Sequence, residues 1–262
     1  MKTVACIIAR TNSKRLPQKV LKKIKNKSMI EYIIDSVKKV KGIDSIYICT
    51  SNLKEDRILK EVAEKNNVKF YAGSETAVIE RMLDVAEVEK ADNVIRITGD
   101  NIFTDSDYLE KMVEGHIKNG VDYTRTEYLS IGVTAEVMKV NALRDCYKNI
   151  DPDKSEYLFL YMFNPEKYKC LVLVPSEKYK CPYSTLTVDT EKDWERTKII
   201  IENLDEDYSY KKIIELSSKL EIPNFFIEND INIKLPDDKV ISYKKFREEL
   251  EIKILKSKIL NI

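Results

Sequence analysis

The sequence of 262 residues predicts an α/β protein whose central sheet is mostly parallel and carries helices on both faces. Three observations support this fold class. Apolar segments of strand length alternate with amphipathic segments of helix length, and the links between them are short. The first apolar segment, residues 4–8, leads directly into a loop rich in cations. No apolar stretch approaches the roughly 20 residues that a membrane-spanning helix needs.

The first half of the chain alternates strands and helices in a regular order. Ser28 and Glu31 form a capping-box pattern at the start of the first helix, and Gly42 is its stop signal. The predicted strands cover residues 4–8, 45–50, 68–71 and 93–98. The predicted helices cover about residues 28–40, 54–65, 74–89 and 105–119. Such units build a doubly wound parallel sheet.

From about residue 121 the pattern becomes mixed. We expect strands at 121–126, 133–139, 170–175 and 185–188, and helices at 141–149, 153–163 and 191–203. The tail, residues 205–262, has helical patterns at 208–219 and 242–259 around turn-like residues 235–238. In that tail Phe246, Leu250, Ile254 and Leu255 suggest a packing face. We therefore predict a domain over 1–204, with an acceptor and dimerisation subregion at about 121–185, and a helical C-terminal extension over 205–262.

Composition excludes several classes of protein. The chain carries 45 basic and 44 acidic residues, and this net charge of +1 argues against wholesale nucleic-acid binding. Residues 1–41 alone hold twelve Lys and Arg against two acids, so the anion-binding half comes first. Five scattered cysteines without a C-x-x-C pair fit a reducing compartment, and we expect a cytoplasmic protein. The single histidine, His116, rules out multi-histidine metal sites, and we expect it on a helix surface.

A basic loop follows the first predicted strand. Its cations and hydroxyls are Arg10, Thr11, Ser13, Lys14, Arg15 and Lys19. Loops at the carboxyl ends of parallel strands bind ligands in open α/β sheets, and arginine forks match phosphate oxygens. We interpret this loop as a cradle for a nucleoside triphosphate. The alternative is a solvated basic loop, which the preceding strand and the clustered hydroxyls disfavour.

Two aspartates lie just past predicted strands, Asp100 and Asp189. Their alternative role is helix capping, but Asp105 and the pair Thr190 and Asp193 already offer caps. In a doubly wound sheet both carboxylates converge at the carboxyl edge beside the basic loop. Because Mg²⁺ is usually held by one or two carboxylates plus substrate phosphates, we interpret the pair as magnesium ligands.

The basic loop and several later segments resemble the sugar cytidylyltransferases. Residues 7–21 match the signature R-x-x-S-x-R-L-P-x-K of that family, which includes the CMP-ketodeoxyoctulosonate and CMP-acylneuraminate synthetases. The pattern is most similar to the spore-coat polysaccharide cytidylyltransferase-like proteins. The likeness continues in order through residues 50–51, 73–75, 80–81, 94–100, 135–137 and 188–190. It covers about residues 1–204 and leaves the tail outside.

This resemblance implies a Rossmann-like nucleotidyltransferase fold of the GT-A-like type, with three α/β/α layers, CTP as donor and Mg²⁺ as cofactor. The residues it places at the nucleotide are Ala9, Arg10, Thr11, Ser13, Arg15, Lys19, Thr50, Ser51, Ser74, Arg81, Thr98 and Gly99. Arg10, Arg15 and Lys19 would hold the triphosphate and stabilise charge on the leaving pyrophosphate. Asp100 would act in catalysis and, with Asp189, hold the metal.

The acceptor region departs from the family. Glu136 matches a family acid, but residues 131–136 read I-G-V-T-A-E where the relatives carry a D-G-x-D-x-E pattern. Two acids are therefore missing. Arg125, Glu156 and Tyr161 are further candidate acceptor contacts, with ordinary surface roles as the alternative. The implied acceptor is a small anionic sugar or sugar phosphate.

Other functions remain open at this point. A nucleotide-sugar-dependent glycosyltransferase would use a D-x-D pair for its metal, and one D-x-D here, Asp105 and Asp107, stands at a helix start. A non-catalytic nucleotide-binding protein would bind CTP without releasing pyrophosphate. Uridylyl or guanylyl transfer is a third alternative, since the sequence does not show the contacts that choose the base. We expect a homodimer, through the segment near 151–184.

Overall fold

A computed structural model describes residues 1–228, 231–236 and 239–262 of the chain. The turn expected at residues 235–238 lies partly outside the described residues, because Asp237 and Asp238 are not among them. Of the described residues, none belongs to a helix long and apolar enough to cross a membrane.

The strands form one large sheet and two short hairpins. They are β1 (Thr3–Ile8), β2 (Lys23–Ile24), β3 (Lys27–Ser28), β4 (Ser45–Ser51), β5 (Lys69–Gly73), β6 (Asn93–Thr98), β7 (Tyr123–Thr126), β8 (Glu136–Lys139), β9 (Cys170–Val174), β10 (Asn232–Lys234), β11 (Val240–Ser242) and β12 (Lys258–Asn261). The large sheet has the order β12-β9-β7-β8-β6-β1-β4-β5. Its pairs are parallel except those of β8, which runs antiparallel to β6 and β7. The sheet is therefore mixed but mostly parallel.

Helices cover both faces of this sheet. They are α1 (Met29–Val37), α2 (Ile58–Lys65), α3 (Val78–Glu89), α4 (Ser106–Asn119), α5 (Val140–Asn149), α6 (Leu158–Met162), α7 (Glu191–Glu202), α8 (Tyr210–Ser217) and α9 (Tyr243–Leu255). Short 3-10 turns lie at Lys19–Leu21, Lys54–Arg57, Pro152–Tyr157 and Glu177–Tyr179. Helices α3, α5, α6 and α9 pack on one face, and α1, α2 and α4 pack on the other. The predicted three-layer fold is confirmed.

The first strand shows why the sheet is buried on both sides. Val4 and Cys6 point into one hydrophobic cluster, Ala5 and Ile7 point into the other, and all four are 0% exposed. A continuous apolar run without alternation is typical of a strand covered on both faces. Because β1, β4 and β6 are parallel neighbours, the loops that follow them meet at one edge of the sheet.

Most predicted elements of residues 1–204 are present, and both predicted capping boxes, at Ser28 and at Thr190, form. Asp105 caps α4, as expected. The strand expected at 185–188 is wrong: only isolated bridges form there, from Ser184 and Thr185 to other loops. These residues follow a turn and pair one at a time with separate partners, so no ladder develops.

The C-terminal residues depart from the expected single helix. The helix predicted over 242–259 ends at Leu255, and residues 258–261 instead form β12, which extends the large sheet beside β9. Leu250 and Ile254 are buried as expected, whereas Leu255 is 79% exposed. Pairing with β9 has overridden the local helical pattern. The domain boundary at residue 204 and the homodimer stay predictions.

The expectation for His116 is wrong. Its side chain is 2% exposed, and its ring Nδ1 lies 2.8 Å from Oγ1 of Thr124 on β7. Among the described residues no hydrogen-bond partner reaches Nε2. Burial lowers the pKa of His116 to about 4, so the ring is neutral at pH 7 and belongs to the packing between α4 and β7.

Candidate active site

The basic loop, residues 9–19, is tied to the sheet edge by one buried carboxylate. Asp56, fully buried in the turn after β4, accepts two hydrogen bonds of 2.7 Å at Oδ1, from the backbone N–H and the hydroxyl of Thr11. Ser51 donates to its other oxygen. Burial by itself would raise the pKa of Asp56, but these hydrogen bonds outweigh it and hold the pKa below its ordinary value. The charged carboxylate therefore fixes the start of the loop.

The rest of the loop turns its cations outward. Its exposed charged residues are Arg10, Lys14 and Arg15. The backbone N–H of Gln18 donates to the Thr11 carbonyl at 3.0 Å and closes the loop. Gln18 has a φ of 54°, a left-handed conformation that a non-glycine residue rarely adopts. Such a conformation persists only where its surroundings fix it, and here it sets the position of Lys19.

Lys19 lies between the two predicted metal ligands. Its Nζ is 2.8 Å from Asp189 Oδ1 and 3.5 Å from Asp100 Oδ2. Arg15 adds a second ion pair to Asp189 at 3.0 Å. The backbone N–H of Val188 donates to the Asp100 carbonyl at 3.0 Å and holds the two segments side by side. The structure thus brings together two carboxylates that are distant in sequence; their role as metal ligands stays a prediction.

The donor chemistry of this pair fits a magnesium ion. Both carboxylates reach one cation, the Lys19 ammonium, so both are within range of a shared positive charge. Mg²⁺ prefers oxygen ligands and usually takes one or two protein carboxylates, completing its shell with water and phosphate oxygens. The part of the chain that the structure describes holds no group of three or more His, Cys, Asp or Glu residues that would form a fuller cage.

A buried arginine adds positive charge near the basic loop. Arg81 is 4% exposed and donates from Nη1 to the Cys49 carbonyl at 3.4 Å, while its Nε has no partner within the described residues. Burial lowers the pKa of its guanidinium, and the charge of Arg10 acts in the same direction. Gly73 makes room for it, because a Cβ there would lie 2.9 Å from Arg81 Cγ. An arginine with so few acceptors is suited to bind an anion.

The hydroxyls expected beside the base and ribose lie deeper than the loop. Thr50 is 0% exposed, and its hydroxyl has no partner among the described residues. Ser51 is 3% exposed and bonds to Asp56, so it supports the loop. Ser74 accepts a 3.1 Å hydrogen bond from the backbone N–H of Ala77, just before α3.

The turn after β6 approaches the basic loop closely. Gly99 donates from its N–H to the Ile8 carbonyl at 2.8 Å. A Cβ at Gly99 would lie 3.0 Å from the Cβ of Ala9 and 3.1 Å from the Ile8 carbonyl oxygen. Only glycine fits this approach without a shift, and the approach brings Thr98 and Asp100 next to the loop.

A cavity of about 270 Å³ opens beside Asp100. It lies at the ends of β6, β7 and β8, and Thr98 is part of its wall. The charged residues that line it are Arg96, Asp100, Arg125, Glu127, Glu136 and Arg247. Since Asp100 also approaches Lys19, the carboxylate pair and the cavity are adjacent parts of one site.

Glu136 is held in this cavity by two donors. Arg96 Nη1 lies 2.6 Å from Glu136 Oε2, and the hydroxyl of Tyr123 donates to Oε1. Arg96 also donates from Nη2 to the backbone carbonyl of Glu156 at 3.0 Å. Glu136 is therefore a fixed, charge-compensated wall of the cavity.

Arg125 is also fixed, by packing and by charge. Its guanidinium lies over the rings of Phe159 and Phe163, at 4.6 and 5.1 Å from their centroids. Its Nε is 2.8 Å from Glu127 Oε1. This ion pair uses the Nε side of the guanidinium, and the Arg125 side chain forms part of the cavity lining.

The two positions where acids are missing from the family pattern line the same cavity. They are Ile131 and Thr134. Gly132, between them, has a φ of 93°, and a Cβ there would lie 2.8 Å from the backbone nitrogen of Thr187, so glycine is required. Isoleucine and threonine carry no charge, so the cavity wall has two acids fewer than the family pattern implies.

Some expected contacts do not reach the cavity, and others were missed. Glu156 is exposed, and its backbone carbonyl accepts a hydrogen bond from Arg96. Neither the Glu156 side chain nor Tyr161 is part of the cavity lining. Four residues of the site were not predicted from the sequence: Asp56, Arg96, Glu127 and Arg247. Arg96 carried a signal, since a charged residue within an apolar central strand must meet an acid. The others had none that a single sequence shows.

Comparison with known proteins identifies the family. A model of the cytidylyltransferase family matches residues 4–232. The spore coat polysaccharide biosynthesis protein SpsF of Bacillus subtilis is 32% identical over 222 residues, which cover 81% of this chain and 92% of that protein. An uncharacterized protein of Methanocaldococcus jannaschii is 35% identical over 196 residues, 74% of this chain and 81% of that protein.

A solved structure agrees in fold. A cytidylyltransferase from Leptospira borgpetersenii superposes with a TM-score of 0.80 at 28% identity, over 87% of this chain and 99% of that one. The segment that the family model matches, residues 4–232, contains the basic loop, both aspartates and most of the cavity wall. The chain belongs to the cytidylyltransferase family of nucleotidyltransferase enzymes.

Proposed function

We propose that the protein transfers CMP from CTP to a small sugar acid or sugar phosphate, with Mg²⁺ as cofactor and pyrophosphate as the second product. The product would serve surface polysaccharide or glycan biosynthesis in the cytoplasm. One observation carries this proposal: Asp100 lies both in the carboxylate pair beside the basic loop and in the wall of a cavity that contains arginines. A triphosphate and an anionic acceptor bound on either side of it would meet there.

The nucleotide side supplies positive charge for a triphosphate. Arg10 and Arg15 extend from the anchored loop, Lys19 lies at its end, and Arg81 is buried nearby. Phosphoryl and nucleotidyl transfers depend on positioning and charge neutralisation more than on covalent help from the protein. These side chains would stabilise the charge that grows on the pyrophosphate as it leaves.

Asp100 and Asp189 would hold the magnesium ion. When bound, the ion would neutralise phosphate charge and polarise the phosphorus under attack. Lys19 keeps the two carboxylates compensated when no metal is present. With triphosphate and metal bound, we expect its ammonium to shift its contacts toward phosphate oxygens.

The acceptor side would select and orient the nucleophile. Arg125, in the cavity lining, would offer its guanidinium to a carboxylate or phosphate of the acceptor. The acceptor oxygen would attack the α-phosphorus in line, and the bond to the β-phosphate oxygen would break as pyrophosphate leaves. An acceptor phosphate needs no protein base, whereas an acceptor hydroxyl must lose its proton to a carboxylate.

The decisive experiment offers each of four nucleoside triphosphates with a panel of sugar acids, sugar phosphates and neutral sugars, with and without Mg²⁺, and measures pyrophosphate release. We expect release with CTP and an anionic acceptor, and a loss of activity in EDTA. Release with UTP or GTP instead would overturn the choice of CTP. CTP binding without release for any acceptor would favour a non-catalytic role, and sugar transfer from a nucleotide sugar would favour a glycosyltransferase.

A further inference from the structure

The C-terminal residues beyond the segment matched by the family are part of the acceptor cavity. That segment ends at residue 232, yet Tyr243 and Arg247 of α9 line the cavity. The helix is firmly seated, since Leu250 and Ile254 are 4% and 2% exposed and belong to the core on that face of the sheet. The helix is followed by β12, which pairs with β9.

Three contacts fix α9 against the cavity wall. The hydroxyl of Tyr243 donates to the Pro182 carbonyl at 2.6 Å. The ring of Phe246 packs edge-on against Phe159, with centroids 5.8 Å apart. Since Phe159 is also the ring under Arg125, this helix and the anion-binding arginine rest on the same side chain.

The third contact is an ion pair that joins α9 to Arg125. Glu127 is 3% exposed and lies between two arginines. Its Oε2 is 2.6 Å from Arg247 Nη1, and its Oε1 is 2.8 Å from Arg125 Nε. Arg247 also reaches Glu251, one turn further along the helix, at 3.3 Å. Without Arg247, the buried Glu127 would draw the Arg125 guanidinium toward itself to satisfy both of its oxygens.

We propose that Arg247 is a positioning residue for the acceptor. Through Glu127, it holds the Arg125 guanidinium at the cavity wall, where that guanidinium binds the carboxylate or phosphate of the acceptor. The proposal rests on the function proposed above, and it makes the C-terminal helix a determinant of acceptor specificity. Removing Arg247 should weaken acceptor binding and leave CTP binding intact.

The test compares Arg247→Met with Arg247→Lys, which keeps the charge but not the two-pronged contact with Glu127 and Glu251. The matched control is Lys256→Met, at the end of the same helix, where the lysine pairs with Glu166 at the surface. In steady-state assays with an acceptor that the parent uses, Arg247→Met should raise the acceptor KM about tenfold, with kcat and the KM for CTP little changed. Arg247→Lys should fall between it and the parent, and Lys256→Met should match the parent.

A merely structural role predicts another result. It would lower kcat and raise both KM values together, in step with a lower melting temperature, and that outcome would overturn the proposal. So would an unchanged acceptor KM in a folded Arg247→Met variant.

A binding measurement keeps this test separate from the proposed reaction. Saturation-transfer NMR with glucuronate as the probe, and glucose as its neutral counterpart, needs no turnover. We expect the parent to bind glucuronate in preference to glucose, and Arg247→Met to lose that preference. If the parent releases no pyrophosphate with any acceptor, the proposed function fails while the NMR comparison still decides the role of Arg247. Equal glucuronate binding by parent and Arg247→Met would overturn it.

Discussion

The proposed active site has a nucleotide side at the basic loop and an acceptor side at the cavity, and these two sides hold their positive charges in different ways. On the nucleotide side, Arg10 and Arg15 are exposed on a loop fixed mainly at Thr11, and Arg15 also pairs with Asp189. On the acceptor side, Arg96 and Arg125 have side chains only 13% and 19% exposed, and each is paired with a glutamate. Asp100 stands between these sides.

Under the proposed function, this difference predicts separate roles for the two sides. Exposed arginines attract a triphosphate over distance and can close around it, at the cost of ordering their side chains on binding. Arginines already fixed by aromatic rings and carboxylates lose little entropy when a ligand arrives, so they discriminate among small anions by geometry. The nucleotide side should therefore tolerate single changes to exposed cations better than the acceptor side tolerates changes to its ion pairs.

The largest effect should follow from a change at the boundary between the two sides. Asp100→Asn removes one of the two carboxylates beside Lys19 with almost no change in shape. We expect turnover to fall about 100-fold or more, since such a group acts where charge develops in the transition state. The measurement is pyrophosphate release at saturating CTP and acceptor.

The control for this variant is Asp107→Asn, an exposed aspartate on the first turn of α4. It should behave like the parent. If Asp100→Asn kept turnover within tenfold of the parent while folding normally, the metal assignment would be wrong.

A smaller effect is expected within the basic loop. Lys19→Met removes the cation that bridges Asp100 and Asp189, whereas Lys14→Met removes an exposed cation of the same loop. We expect CTP affinity, measured by calorimetry with Mg²⁺ present, to drop about tenfold for Lys19→Met and to change little for Lys14→Met. Equal losses in the two variants would mean that the loop acts through net charge alone.

The residues proposed for the nucleotide side could be predicted from the sequence, because their signals are local. Lys19 lies in a cationic loop directly after a buried strand, and Asp100 follows another strand of the same sheet. Parallel strand order then implies that such loops meet at one edge. The same argument predicted that Asp189 would lie near Asp100, and the structure places both beside Lys19. The strand expected just before Asp189 does not form.

The acceptor side was harder to predict from the sequence, because its residues contact partners that are far away along the chain. Arg247 and Glu127 pair across 120 positions, and nothing near either residue indicates the other. The first residues of the terminal strand β12 were assigned to a helix because their pairing partners in β9 lie 87 positions earlier in the chain. Arg125 and Glu136 were named as candidate acceptor contacts from the sequence, and both line the cavity. The ion pairs that fix them were not predicted.

The change with the smallest expected effect on turnover tests the packing beneath the acceptor side. His116 falls on the apolar stripe of α4 with Leu109 and Met112, a spacing that indicates burial and was overlooked. Its ring faces Thr124, the neighbour of Arg125 on β7. His116→Gln keeps a polar group there and removes the titration, so turnover at pH 7 should stay near that of the parent.

Stability should distinguish the variant from the parent as the pH falls. Burial lowers the pKa of His116 from 6.5 to about 4. Between these values the unfolded chain binds a proton that the folded protein does not, so the stability contribution of the neutral ring is full above pH 6.5 and is lost as the pH falls toward 4. From pH 7 to pH 4.5 the parent should lose about 2–3 kcal/mol more free energy of unfolding than His116→Gln, as measured by urea denaturation.

Because His116 is the only histidine in the sequence, one imidazole proton resonance reports its pKa directly. A resonance that titrates near pH 6.5 would show that water reaches the contact between His116 and Thr124. The packing beneath the acceptor side would then be less rigid than its ion pairs indicate.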